Sequence, residues 1–135
     1  MSKFSEALQQ GEFVVTGEIG PPKGTNLEHC MEEVEELRES VTAVNVTDLQ
    51  SAVMRVGSLA TCRKLLDNGV EPIYQLVCRD RNRLALQSDL LSASALGIEN
   101  VLCLTGDHTL LGDHSDAQPV FDLESVGLLQ AVETL

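Results

Sequence analysis

Phe13-Val14-Val15-Thr16-Gly17-Glu18-Ile19-Gly20-Pro21-Pro22-Lys23-Gly24 opens as a short apolar run, meets an acid, and passes into a stiff, irregular loop. An apolar run of that length closed by Gly and Pro predicts a buried strand. A strand opening a dinucleotide-binding sheet would pass into G-x-G-x-x-G, and this one does not. Thr25 follows, with Glu28 at capping-box spacing, and Leu27, Met31, Val34 and Leu37 recur at helical intervals.

The same unit recurs in architecture, without repeating in sequence. Val41-Thr42-Ala43-Val44-Asn45-Val46-Thr47 predicts a second strand; its helix runs through Val56, Leu59, Ala60 and Leu66 and stops at Asn68-Gly69. Glu71-Pro72-Ile73-Tyr74-Gln75-Leu76-Val77 predicts a third, followed by a helix from Asn82 through Leu86, Leu90, Leu91 and Ala93 to Gly97. Asn100-Val101-Leu102-Cys103-Leu104 is the fourth, and after a polar stretch Asp122 is expected to cap a helix carrying Val126, Leu129 and Val132. Strands near residues 13, 42, 72 and 100 follow one another at about 29-residue intervals, the spacing of βαβ crossovers in a parallel sheet. Their nearly continuous apolar runs imply that both faces are covered. An open doubly wound sheet and part of a closed barrel both satisfy this pattern.

Each strand ends at a polar residue able to reach a ligand: Glu18, Thr47, Gln75 and Asp107. Barrel enzymes build their sites from such carboxyl-terminal strand ends. Four βα units amount to half a barrel, and the chain stops inside an apparent helix at Glu133-Thr134-Leu135. A single domain over residues 1–135 is therefore expected to be a truncated barrel, or else to dimerise, because a half-barrel leaves two strand edges open.

The 135 residues carry 9 basic and 21 acidic side chains, a net charge of −12. Nucleic acid and anionic membrane both reward Lys/Arg patches, so neither is an expected partner. The amino terminus lacks the apolar core of a signal peptide, and no apolar run is long enough to span a membrane. Cys30, Cys62, Cys78 and Cys103 lie far apart with no C-x-x-C pair, which points to buried free thiols in a reducing cytoplasm.

Individual residues leave alternatives open. A partly desolvated Glu18 at the pocket mouth suits general-acid work, but a solvated loop acid satisfies the same pattern. Asp107, after Gly106, is placed either to hydrogen-bond a heterocycle or to sit in an ordinary turn. Thr47-Asp48 offers a hydroxyl ligand or a helix cap. Gln75, inside an apolar strand, must find hydrogen-bond partners, whether ligand or neighbouring strand. Arg79-Asp80-Arg81-Asn82-Arg83 is expected to be a solvated ion-pair network, with phosphate binding the second choice. Asp107-His108 and Asp113-His114 lack an element to orient them as metal ligands, and no metal is expected.

Taken together, the segments resemble the methylenetetrahydrofolate reductase family through essentially the whole chain. The resemblance rests on Gly17-Glu18 with Pro21-Pro22, on Val44-Asn45-Val46-Thr47-Asp48, and on Gln75-Leu76-Val77-Cys78-Arg79-Asp80-Arg81-Asn82. Leu86-Gln87-Ser88-Asp89-Leu90-Leu91, Ala95-Leu96-Gly97-Ile98, Leu104-Thr105-Gly106-Asp107 and Gly112-Asp113-His114 complete it in order. The resemblance implies an α/β fold, a (β/α)₈ TIM barrel of which this chain supplies about the first four βα units. It implies FAD, with FMN the alternative, at the carboxyl ends of the strands. It implies reduction of 5,10-methylenetetrahydrofolate to 5-methyltetrahydrofolate in methionine metabolism, with NAD(P)H or another donor reducing the flavin first.

By the same resemblance Glu18 matches the family's acid, which helps protonate folate N10, and Asp107 matches the aspartate near flavin and pterin. Thr47 matches a flavin contact, as do Thr105, Gly106 and Asp107. Gln75 stands where a histidine often touches the flavin, and Thr105 replaces an arginine. Both variants suit a branch associated with anaerobes and with fused methyltransferase members. A homo-oligomer, or a complex with an electron-donor subunit, is the implied assembly. The competing readings are a non-catalytic half-barrel module and another barrel class, such as a pterin-binding methyltransferase or a lyase.

Overall fold

The computed structural model describes residues 1–135. Four strands, β1 (Thr16–Ile19), β2 (Ala43–Val46), β3 (Pro72–Val77) and β4 (Asn100–Leu104), form one parallel sheet in sequence order. Between and around them lie α1 (Lys3–Gln9), α2 (Glu28–Leu37), α3 (Ser58–Asp67), α4 (Arg83–Ala95) and α5 (Ser125–Thr134). The fold is thus α/β, with a strand-helix repeat.

Register explains where the core sits. Ile19 pairs with Val46, Val46 with Tyr74, and Tyr74 with Val101, while Leu76 pairs with Cys103. Side chains alternate across a strand, so these residues share one face. They meet Cys30 and Val34 of α2, Cys62 and Leu65 of α3, Leu86 and Ala93 of α4, and Leu128 of α5 in one buried cluster. The opposite face carries Glu18 paired with Asn45, Gln75 paired with Leu102, and Val77 paired with Leu104.

That second face corrects an expectation. Only β3 is buried along its whole length, whereas Thr16, Glu18 and Leu102 on the outer strands are exposed. β1 and β4 are the edges of the sheet, so the cover implied by their apolar composition is present on the helix side only. β1 also begins later than the apolar run does: Phe13 is 95% exposed, because pairing with β2 starts at Thr16.

Two helix starts differ from expectation. α2 begins at Glu28, so Thr25 lies outside it and the capping box does not form; Asn26 Oδ1 accepts the Glu28 amide instead (2.9 Å). α5 is capped by Glu124, whose carboxylate accepts from Val126 and Gly127. Asp122 serves α4 instead, accepting the Arg83 amide and guanidinium (both 2.9 Å). Arg83 thereby pulls the Asp122 carboxyl down to about 2. α3 and α4 end as their sequence implies, before Gly69 (φ +73°) and Gly97 (φ +82°), where a left-handed residue is needed.

The short α1 was not anticipated. Its Ser2 cap accepts from Ser5, and Glu71, just before β3, accepts the amides of Lys3 and Phe4 (2.9 and 3.0 Å). A carboxylate on the positive end of a helix is a favourable pairing, and here it pins α1 to the amino-terminal end of the sheet. No helix is long and apolar enough to cross a membrane.

All four cysteines are free and buried. Burial pushes the Cys62 thiol up to about 12 and Cys78 up to about 11. Unfolded thiols ionise near 8.5. Below that pH both states are protonated and the thiols leave stability unchanged. Above it the unfolded state gains charge first, so stability falls as pH rises toward the folded values. At pH 8 the native chain is therefore expected to resist Ellman's reagent, with all four thiols reacting in denaturant. Rapid labelling of the native protein would contradict this packing.

Candidate active site

The carboxyl ends of the strands frame a cavity of about 370 Å³. Glu18, Thr47, Gln75, Gly106 and Asp107 line it, with Asp48 to Ser51, Val77, Arg79 and Leu104. Five of the six candidate residues thus converge, Glu18 and Gln75 from β1 and β3 and the others from the loops after β2 and β4. The convergence follows from the parallel order: each strand ends at the same edge of the sheet, and so do the loops that follow.

Gln75 is the interior link. Its Nε2 donates to Glu18 Oε2 (3.3 Å) and to Asn45 Oδ1 (3.5 Å), two strands away and one strand away respectively. Asn45 Nδ2 donates in turn to Thr16 Oγ1 (3.3 Å). The buried amide of Gln75 therefore finds its partners on neighbouring strands, and it steadies the Glu18 carboxylate. Glu18 itself is exposed, not partly desolvated as expected, because β1 is an edge strand.

Thr47 is 3% exposed, and its Oγ1 has no hydrogen-bond partner. Such an orphan hydroxyl at a cavity wall calls for a partner, and it caps no helix. Asp48 points away from capping as well: its fully buried carboxylate accepts the Val77 amide (3.0 Å) and Arg81 Nη1 (2.7 Å). Arg81 continues to Asp89 (2.9 Å). The ion-pair network expected at 79–83 is present, with Asp80, Asn82 and Arg83 exposed, but Arg81 is half-buried in it. Arg79 is deeper still, 2% exposed, and binds protein groups from three segments. Its sequence neighbours suggested surface charge; only the fold turns it inward.

Gly106 adopts φ +91°, and a Cβ there would come within 3.2 Å of Val77 Cβ and 3.3 Å of Arg79 Cβ. Glycine is required twice over, by conformation and by the close floor beneath it. Asp107 follows and is exposed. Thr105 departs from the group: its Oγ1 accepts the Ser125 amide (3.1 Å) at the start of α5. It lines a neighbouring groove with His108 and Phe121, which Gly106 joins to the main cavity.

The loop after β2 is under strain. Leu49 (φ 49°), Ser51 (φ 56°) and Ala52 (φ 57°) are left-handed without being glycine, each at a cost of about 1–2 kcal/mol. Such a conformation persists only where surrounding contacts hold it. Two come from the loop after β4. Gly112 packs against Ala52 so closely that a Cβ would lie 1.8 Å from the Ala52 oxygen. Asp113 accepts the Met54 amide (2.9 Å) and Lys23 Nζ (3.0 Å), while His114 Nδ1 lies 3.0 Å from it. Asp113 and His114 thus join the loops after β1, β2 and β4. The hydrogen bonds with His114, Met54 and Lys23 hold the Asp113 carboxyl well below the usual carboxylate range.

Comparison with known proteins adds one match. A family model described as methylenetetrahydrofolate reductase covers residues 3–132. No curated protein matches the chain.

Proposed function

Because the chain belongs to the methylenetetrahydrofolate reductase family, we propose that its strand-end cavity is a flavin and folate site serving reduction of 5,10-methylenetetrahydrofolate. In this reading the four βα units are the first half of a (β/α)₈ barrel, whose second half supplies the remaining contacts. The observation that carries the proposal is the convergence of Glu18, Thr47, Gln75, Gly106 and Asp107 on one cavity with an orphan hydroxyl in its wall.

The residues fit a flavin. Thr47 Oγ1 lacks a partner that a polar ring edge would provide. Gly106 keeps the main chain low beside the cavity, so a planar group can lie close to it. The volume of about 370 Å³ falls within the roughly 300–1,000 Å³ of small-molecule sites. Thr47, Gln75, Gly106 and Asp107 would hold the flavin, FAD or FMN, with Thr105 contributing its main chain. When bound, the flavin supplies hydride transfer between a donor, NAD(P)H or another reductant, and the folate.

The chain's own residues do the proton work. Glu18 gives a proton to folate N10, the N10–methylene bond breaks, and the carbon left on N5 becomes an electrophile for hydride. Gln75 donates to Oε2 of Glu18 (3.3 Å), which leaves Oε1 for the substrate. Asp107 would hold the pterin by hydrogen bonds and would offer negative charge to the bound cofactor.

The test is a visible absorption spectrum of the purified chain before and after FAD. Shifted and sharpened flavin bands that survive gel filtration are the expected result. A protein that stays colourless at saturating FAD would deny the site to this chain. Folate binding without flavin would leave the cavity a folate site and remove the flavin from this chain.

A further inference from the structure

Arg79 follows β3, yet its guanidinium reaches the loops after β2 and β4. Nη1 donates to the main-chain oxygen of Asp107 (3.0 Å), and Nη2 to that of Leu49 (3.2 Å). Nε and Nη2 form a fork on the Asp80 carboxylate (2.9 and 2.8 Å), which holds the guanidinium plane in one orientation. The main-chain oxygen of Arg79 accepts the Val120 amide (2.7 Å), tying in the far end of the β4–α5 connection. The side chain is 2% exposed and lines the strand-end cavity.

We propose that Arg79 is a positioning residue: it sets the distance between the strained Leu49 loop, beside Thr47, and the Asp107 loop across the cavity. The inference rests on the flavin reading of that cavity. Three features support it. Leu49 sits in a left-handed conformation (φ 49°) that needs an outside contact to persist. Gly106 lies against Arg79, its would-be Cβ 3.3 Å from Arg79 Cβ, so the guanidinium stem is also the floor under the Asp107 turn. Finally, the Asp80 fork balances the charge, which leaves geometry as the contribution of Arg79 to the cavity. Lysine offers a single ammonium and cannot span two carbonyls and a carboxylate in one plane.

The experiment is an FAD titration of the full 135-residue chain, with Arg79→Lys, Arg79→Ala and Asp107→Asn, alone and combined. Arg79→Lys is expected to weaken FAD binding about tenfold, since displaced contact groups act together. Methylguanidinium at millimolar concentration is expected to restore binding to Arg79→Ala. The Asp107→Asn effect should shrink in the Arg79→Lys background, because the carboxylate is no longer held in place. Arg79→Lys binding FAD like the parent, or strictly additive effects, would overturn the proposal.

If the parent takes up no FAD, the flavin reading fails for this chain and amide exchange decides the positioning role. Protection lost together at residues 50–54 and 108–112, with β3 unchanged in Arg79→Lys, upholds it. Loss confined to residues 79–83 refutes it.

Discussion

In the full barrel of the proposed reading, Glu18→Gln is expected to slow the folate half-reaction by about 10²–10⁴, the usual worth of a positioned general acid. The substitution keeps the shape of the side chain and an oxygen to accept from Gln75 Nε2, so the cross-strand link at 3.3 Å survives. Glutamine cannot give a proton to folate N10, and the ring would open only through solvent. Reduction of the flavin needs no proton from this residue and should keep its rate. Stopped-flow absorbance at the flavin band separates the two steps. Equal slowing of both would make Glu18 a structural residue of β1 and sink its role as the acid.

The second large effect is on stability. Gly112→Ala is expected to cost about 3 kcal/mol, the upper end of ordinary overpacking, because the obstacle is main chain. The added Cβ would lie 1.8 Å from the Ala52 oxygen and 2.4 Å from its carbon, and no rotamer change can relieve that. Either the loop after β4 withdraws or the strained turn at residues 49–52 rearranges. Withdrawal would break the bonds from Asp113 to Met54 and Lys23. A urea midpoint well below the parent's is the expected readout, with amide protection of residues 49–54 lost first. An unchanged midpoint would show that the two loops do not depend on each other.

Much of the fold was legible in local patterns. Apolar runs near residues 13, 42, 72 and 100 mark the four strands, and Asn68-Gly69 and Gly97 mark two helix ends where left-handed backbone was needed. The parallel order followed from crossover length alone. Strand ends with polar residues pointed to Glu18, Thr47, Gln75 and Asp107, and all four line one cavity. The misses have a common cause. Thr25 and Asp122 looked like caps by spacing, but helix starts are decided by a few competing polar groups: Asn26 takes the Glu28 amide from outside α2, and Glu124 caps α5. Thr105, matched to a flavin contact by resemblance alone, has its hydroxyl engaged by the Ser125 amide of α5, a pairing across 20 positions that its neighbours do not encode.

Sequence order was enough to establish the family, the α/β class, the parallel sheet and the residues at its carboxyl edge. Each of these depends on the period of apolar side chains or on motifs a few residues long, both of which are written along the chain. The pairings that shape the site are different in kind. Gln75 meets Glu18 across 57 positions, Arg79 meets Asp107 across 28, and Lys23 meets Asp113 across 90. No local rule distinguishes the buried clamp Arg79 from the exposed Arg83 four residues on. Their surroundings differ only once the sheet has brought the loops after β2, β3 and β4 to one end, where Arg79 is covered and Arg83 is not.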